Sequence, residues 1–263
     1  MKKIYLLFIT FILLIVTSCS QGPADVIYES GFFQYKIMDL NSDGNKEVLI
    51  MGLSEEGKQQ TTIVIPVKID GYEVTTLGHY YGFLGRQGVF ESEKLKVIYI
   101  TNNITNIENE LLFDSVSLEK IYTGNFKSLI GAKWLELVLS SNQLFLSNLL
   151  YNQTYQFFLN YNALNKCNIA NVLYDLNYGE NNIFMVDDCD GTTVNVIPPT
   201  PYRKGYEFAG WYKEPECINE WEFENDIVPT KEYSDNGEYI LKETILYAKW
   251  EEQQWNLSKK FVY

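Results

Sequence analysis

The stretch from Asp39 to Ile50 carries side-chain oxygens at the spacing of a calcium-binding loop. The candidate ligands are Asp39, Asn41, Asp43 and Glu47. Calcium takes oxygen ligands at alternate positions, and Gly44 suits the sharp turn between them. The twelfth position is Ile50, however, where a bidentate glutamate would complete the coordination. The pattern fits either a calcium site or a metal-free polar hairpin turn. The missing carboxylate favours the turn.

The other reactive side chains show no pattern of a catalytic centre. The chain has one histidine, His79, and no nucleophile elbow, phosphate-binding loop or dinucleotide-binding fingerprint. Tyr80, Tyr81 and Tyr202 could stack on sugars, although packing or surface placement accounts for them more simply. The net charge of −13 argues against a nucleic-acid partner, which requires clustered lysine and arginine. We therefore expect no enzyme, no cofactor and no nucleic acid.

A cysteine near the N-terminus lies directly after an export signal. Lys2 and Lys3 precede an apolar run from Ile4 to Val16, which is shorter than the roughly 20 residues of a membrane span. The sequence Val16-Thr17-Ser18-Cys19 resembles a bacterial lipobox, which implies cleavage after residue 18 and lipid on Cys19. The alternative is an ordinary secretory signal with an incidental cysteine. Two or three acyl chains would hold the protein on a membrane.

Three further cysteines are Cys167, Cys189 and Cys217. An odd number outside the cytoplasm leaves at least one thiol unpaired. Cys189 and Cys217 belong to the same C-terminal region, and the sequence leaves open whether they form a disulfide. A zinc site is not expected, because the single histidine is far from these cysteines in sequence.

Two segments of the middle region repeat at a fixed distance. Leu95–Ile100 and Leu118–Tyr122 align at a period of 23 residues, and leucine-rich repeats have periods of about 20–29 residues. Strands are expected ahead of them at residues 31–38, 46–51 and 62–66. This order resembles the opening of BspA-like leucine-rich repeat proteins. The resemblance implies a short solenoid of repeats that each bury one edge on the next.

Two parts of the middle region are less regular. Gly82–Glu93 is an insertion in the first repeat, which we expect either to carry specificity on the rim or to be an ordinary surface loop. Residues 126–168 contain short apolar runs at 134–139 and 144–151 that fit repeat strands or helical turns equally. We interpret this segment as degenerate repeats or a cap.

The C-terminal third is rich in aromatic residues in segments of strand character. Tyr174–Tyr178, Val194–Ile197 and Thr244–Trp250 are predicted strands, and Gly205–Tyr212 supplies further large apolar area. The ordered series resembles the Listeria–Bacteroides repeat, the internalin B-type repeat of bacterial surface proteins. The resemblance covers about 80 residues. It implies an exported surface protein with a small β-grasp-like sheet.

The sequence thus predicts a mainly β protein with a short leucine-rich-repeat solenoid followed by a small β-grasp-like repeat domain. Its segments are a signal peptide at 1–18, a tether at 19–30, the repeat region at 31–168, the repeat domain at 171–252 and a tail at 253–263. We expect a lipid-anchored, adhesin-like protein of the cell envelope, facing outside the cytoplasm. Its shallow β face would contact a host or envelope protein or a glycan through aromatic anchors. The alternatives are a structural spacer without its own ligand and a carbohydrate-active enzyme.

Overall fold

The computed structural model describes residues 26–78, 89–107, 117–124, 142–160, 162–180 and 182–253. Over these residues the fold is mainly β. None of the helices in these ranges is long and apolar enough to cross a membrane. Several residues singled out above lie outside the described ranges, namely the signal peptide, Cys19, His79, Tyr80, Tyr81, residues 82–88 of the insertion and the apolar run at 134–139.

The N-terminal part contains eleven strands among its described residues. They are β1 (Tyr28–Ser30), β2 (Phe33–Met38), β3 (Glu47–Leu53), β4 (Thr62–Val64), β5 (Lys68–Ile69), β6 (Tyr72–Leu77), β7 (Val97–Ile100), β8 (Asn106–Ile107), β9 (Lys120–Thr123), β10 (Gln143–Leu146) and β11 (Cys167–Ile169). The described residues of this part also form helix α1 (Asn148–Asn160) and the short 3-10 helices Gly57–Gln59 and Leu164–Lys166. The apolar run at 144–151, ambiguous in sequence, forms β10 and the start of α1.

The first strands form a mixed sheet in the order β1-β2-β3-β6-β5, with β8 also paired to β6. β1, β2 and β3 pair antiparallel in sequence order, whereas β3 and β6 run parallel. β1 includes residues 28–30, which the sequence assigned to the tether. The tether therefore ends earlier than residue 30.

Five strands form an all-parallel sheet in the order β11-β10-β9-β7-β4. Val97 pairs with Lys120 and Lys120 with Gln143, so the strands repeat at the 23-residue distance seen in the sequence. Side chains also link successive strand segments, since Ser117 Oγ donates to the Leu95 carbonyl at 2.8 Å and the Asn142 amide donates to the Leu118 carbonyl. Each of these segments is thus hydrogen-bonded to the segment before it through side chains as well as through the sheet.

The inner faces of the mixed and parallel sheets share one apolar core. Ile63, Ile98, Ile121 and Leu144 stand in register across four parallel strands and are 1% exposed or less. Fully burying an aliphatic side chain of this size stabilises the fold by about 1.5–3 kcal/mol. Phe158 of α1, fully buried, packs on the same core.

The C-terminal part contains six strands among the residues described there. They are β12 (Val172–Asp175), β13 (Ile183–Asp187), β14 (Tyr206–Tyr212), β15 (Glu232–Tyr233), β16 (Tyr239–Ile240) and β17 (Thr244–Glu252). Four form a sheet in the order β13-β12-β17-β14, in which the central pair β12 and β17 is parallel. β15 and β16 form a separate two-stranded sheet.

Val194–Ile197 is not a strand, contrary to the prediction. The backbone N–H of Asn195 donates to the Asp187 carboxylate at 2.8 Å, so it is committed to a side chain rather than to a β ladder. The antiparallel partner of β12 is β13, which sequence reasoning missed. Its apolar residues Ile183 to Val186 end at a buried aspartate rather than in an alternating pattern.

Candidate functional site

The outer face of the parallel sheet carries a row of aromatic rings. Tyr99, Tyr122 and Phe145 are paired across β7, β9 and β10. Adjacent ring centroids are 4.5 Å apart, and the ring planes differ by only 9° and 17°. These three side chains are 5% exposed or less. The expected binding face with aromatic anchors is therefore covered within the chain itself.

The cover is the C-terminal part, whose strand β13 lies against β7, β9 and β10. The backbone N–H of Asn102 donates to the Phe184 carbonyl at 2.9 Å, and the Asn102 side chain donates to that of Asn182 at 3.0 Å. A Cβ atom on Gly124 would lie 2.7 Å from the Phe184 carbonyl, so only glycine permits this approach. The aromatic row and the buried residues of the C-terminal sheet form a second apolar core.

Asp187, at the end of β13, holds a buried polar network inside this second core. Its side chain is completely buried and accepts hydrogen bonds from the Tyr99 hydroxyl at 2.9 Å and from the Asn195 side chain at 2.8 Å. Burial, together with the nearby Asp187 charge, holds the pKa of Tyr99 far above its ordinary value. A buried carboxylate that accepts several hydrogen bonds fixes the positions of the groups that donate to it.

The Asp39–Glu47 turn uses its oxygens to bind its own backbone. Asp39 accepts hydrogen bonds from the N–H groups of Asp43 and Gly44 at 3.1 and 3.0 Å, and Glu47 accepts one from the Leu40 N–H at 3.0 Å. Hydrogen bonds from Asn45 lower the pKa of Asp43. In the described part of the chain, no group of three or more His, Cys, Asp and Glu side chains is arranged to hold a metal. The arrangement is that of a polar hairpin turn.

The three cysteines outside the signal region are free thiols. Cys167 and Cys189 are buried, and burial raises the pKa of each to about 12. Cys217 is half-buried; its pKa is raised mainly by burial, and its sulfur accepts a hydrogen bond from the Asn177 amide. Cys189 and Cys217 do not form the disulfide that the sequence left open.

A cleft of about 960 Å³ lies on the outer face of the mixed sheet. Its floor is the paired row of Leu49, Thr76 and Asn106 on β3, β6 and β8. The Asp39–Glu47 turn forms one wall, and Tyr202 and Lys204 of the C-terminal part also line the cleft. The cleft is thus assembled from both parts of the chain.

Two tyrosines are the largest apolar surfaces of this cleft. Tyr72 is 38% exposed and Tyr202 is 42% exposed. The ammonium group of Lys68 lies 3.3 Å from the centroid of the Tyr202 ring, a cation–π contact that joins β5 to the C-terminal part. Sequence reasoning singled out Tyr202 as a possible sugar platform. It missed Lys68, since the two residues are distant in sequence and no local pattern connects them.

Residues 171–249 match the Listeria-Bacteroides repeat domain. The match covers the strands β12 to β16 and most of β17. This repeat occurs in surface proteins, which is compatible with a surface-associated role for the chain. No curated protein matches the chain.

Proposed function

We propose that this protein is a lipid-anchored, adhesin-like binding protein of the cell envelope, without enzymatic activity. The observation that carries this proposal is the match of residues 171–249 to a repeat domain found in surface proteins. The apolar run and the lipobox-like Val16-Thr17-Ser18-Cys19 support export and attachment through lipid on Cys19. The acidic net charge of −13 does not favour an anionic membrane surface, so the anchor alone would provide attachment.

A BspA-like leucine-rich-repeat assignment for residues 31–168 is part of this proposal. The parallel sheet supports it, because strands β7, β9 and β10 follow one another at 23-residue intervals and bury the same positions of each coil. Such an array is a rigid platform on which loops or an attached domain present a binding surface.

The binding surface in this proposal is the cleft on the mixed sheet rather than the aromatic row. The aromatic row is covered by β13, whereas the cleft is open and carries two partly exposed tyrosines. Both parts of the chain contribute to it, so a partner would recognise them together.

A structural role in the envelope, as a spacer without a ligand, is the second candidate. It is favoured by the covered aromatic row, because the face that the parallel strands would otherwise present is used to join the two parts. In this case the apolar area of the repeat face serves stability alone.

The test is cell fractionation combined with surface binding. The full chain and a Cys19→Ala variant would be expressed in the same bacterial host, and both would be followed in membrane and soluble fractions and by protease digestion of intact cells. The wild type is expected in the membrane fraction and digestible from outside, while the variant is released. A wild type that stays soluble inside the cell contradicts the proposal.

Binding is then measured with the purified chain from Gln21 onward on host matrix proteins, epithelial cells and glycans. Saturable binding to at least one of these surfaces is expected from an adhesin-like protein. Correct localisation without binding to any of them would favour the spacer instead.

A further inference from the structure

The cleft on the mixed sheet is lined by groups that both donate and accept hydrogen bonds. The aliphatic hydroxyl groups belong to Thr75, Thr76 and Thr105, of which Thr105 already donates to the Thr75 carbonyl at 3.3 Å. The side-chain amides belong to Asn41 and Asn45, which already hydrogen-bond to carboxylates within the Asp39–Glu47 turn, and to Asn106 on the floor. A hydroxyl or an amide can act in both directions. A ligand that satisfies the hydroxyls and the Asn106 amide must carry groups of the same dual kind, as the hydroxyl groups of a sugar are.

The charges of the cleft balance each other. Three ammonium groups belong to Lys46, Lys68 and Lys204. Three carboxyl groups belong to Asp43, Glu47 and Glu73. A polyanion such as a phosphorylated or sulfated chain would meet the carboxylates as well as the lysines. The balance therefore favours a ligand without net charge.

Tyr72 and Tyr202 provide the aromatic surface that sugar rings use. Lys68 lies over the Tyr202 ring at 3.3 Å and holds it in place, while 42% of the residue is left exposed. An aromatic ring with a fixed orientation offers contact area at little cost in side-chain entropy. The cleft volume of about 960 Å³ lies within the range of about 300–1,000 Å³ typical of ligand sites.

The geometry points to a neutral oligosaccharide as the ligand of this cleft. The inference rests on the proposed function, because it names the class of partner for the same site. A purely apolar ligand would leave Thr76 and Asn106 on the floor of the cleft without partners, which costs binding free energy. A saccharide satisfies these groups with its hydroxyls and packs its apolar ring face on Tyr202.

The test is a glycan array that carries neutral and acidic oligosaccharides, probed with the purified chain from Gln21 onward. Hits are quantified by calorimetry with the free oligosaccharide. Tyr202→Ala is the first variant, and Lys204→Gln, at an exposed residue of the same wall, is the second. Tyr233→Ala is the matched control, since Tyr233 is 59% exposed and does not line the cleft.

The expected result is saturable binding of neutral oligosaccharides that Tyr202→Ala weakens by about tenfold or more and Tyr233→Ala leaves unchanged. Lys204→Gln is expected to weaken the same ligands without altering the fold. Binding confined to acidic glycans, or unchanged in both cleft variants, overturns the inference. If cells or matrix proteins are bound but no glycan is, the inference fails and the proposed function stands. If no surface is bound, both fail.

Discussion

The hydroxyl of Tyr99 donates a hydrogen bond of 2.9 Å to the carboxylate of Asp187, across a sequence separation of 88 residues. Tyr99 lies on β7 of the parallel sheet, and Asp187 ends β13 of the C-terminal part. Both side chains are buried, at 2% and 0% exposure. The contact joins the two parts of the chain inside a shared apolar core, where a lost partner is not replaced by water.

Tyr99→Phe should lower the free energy of unfolding by about 2 kcal/mol, because it removes a buried hydrogen bond to a charged group while keeping the ring stack. Urea denaturation followed by tryptophan fluorescence measures this change. Tyr122→Phe is the matched control, since its ring belongs to the same stack but its hydroxyl is not among the hydrogen-bond donors to Asp187. Equal losses in the two variants would show that the Asp187 contact is not the cause.

Gly124→Ala should separate or distort the junction between the two parts, because the added Cβ would lie 2.7 Å from the Phe184 carbonyl. The expected loss of stability is about 1–3 kcal/mol, as for other overpacked sites. Limited proteolysis should also cut this variant sooner. Gly52→Ala serves as the control, since its new Cβ would meet only the flexible Gln34 side chain at 3.4 Å. A Gly124→Ala variant as stable and as protease-resistant as that control would contradict the close approach.

Thiol alkylation of the native protein should label Cys217 well before Cys167 and Cys189. The latter two are buried, and a pKa of about 12 keeps each thiol protonated near neutral pH. Peptide mass spectrometry after timed alkylation gives the order, and denaturation should make all three react. Protection of Cys217 that disappears on reduction would instead reveal a disulfide.

Alkaline pH should destabilise the fold above pH 10. Burial raises the pKa of Tyr99 and Tyr122 above the ordinary value of 10.0, and it raises that of Tyr35 to about 12. The unfolded chain then loses protons that the native chain keeps, so stability present below pH 10 is lost as pH rises. Each such tyrosine contributes about 1.4 kcal/mol per pH unit.

Denaturation at several pH values tests this expectation. Tyr99→Phe and Tyr122→Phe should each make the alkaline decline less steep by about one proton's contribution. Tyr233→Phe, at a residue that is 59% exposed, should leave the decline as it is in the wild type. A decline of equal steepness in all four proteins would show that the buried tyrosines are not responsible.

The parallel pairing of β7 and β9 was predictable because both segments bury the same positions of their sequence pattern. Leu95–Ile100 and Leu118–Tyr122 align in sequence, and β7 and β9 pair at the same offset. The same offset aligns Tyr99 with Tyr122, whereas the run that contains Phe145 fits a repeat strand or a helical turn equally in sequence. Whether such a row meets water or another part of the chain depends on residues far away, so local patterns do not decide it.

In the C-terminal sheet, too, local sequence patterns predict only part of the structure. β17 follows from the strand character of Thr244–Trp250, whereas the irregular path at Val194–Ile197 depends on Asp187 at the end of β13. The hydrogen bond from a backbone N–H to a carboxylate 8 residues earlier is made in the folded chain. The local sequence pattern therefore does not predict it. The sequence names Tyr202 among three tyrosines that could stack on sugars, although packing or surface placement accounts for them more simply. The position of Tyr202 beside Lys68 depends on how the two parts meet.

The burial of the aromatic row also affects how the protein can be dissected in the laboratory. A truncated chain ending near residue 170 would keep Tyr99, Tyr122 and Phe145 but lose the strands that cover them. The three stacked rings would then form an exposed apolar patch that the intact chain does not have. Such a patch promotes self-association and adsorption on plastic, lipid or unrelated proteins. Adhesion by such a fragment would be a false positive. Partner mapping on this protein therefore calls for point substitutions in the intact chain.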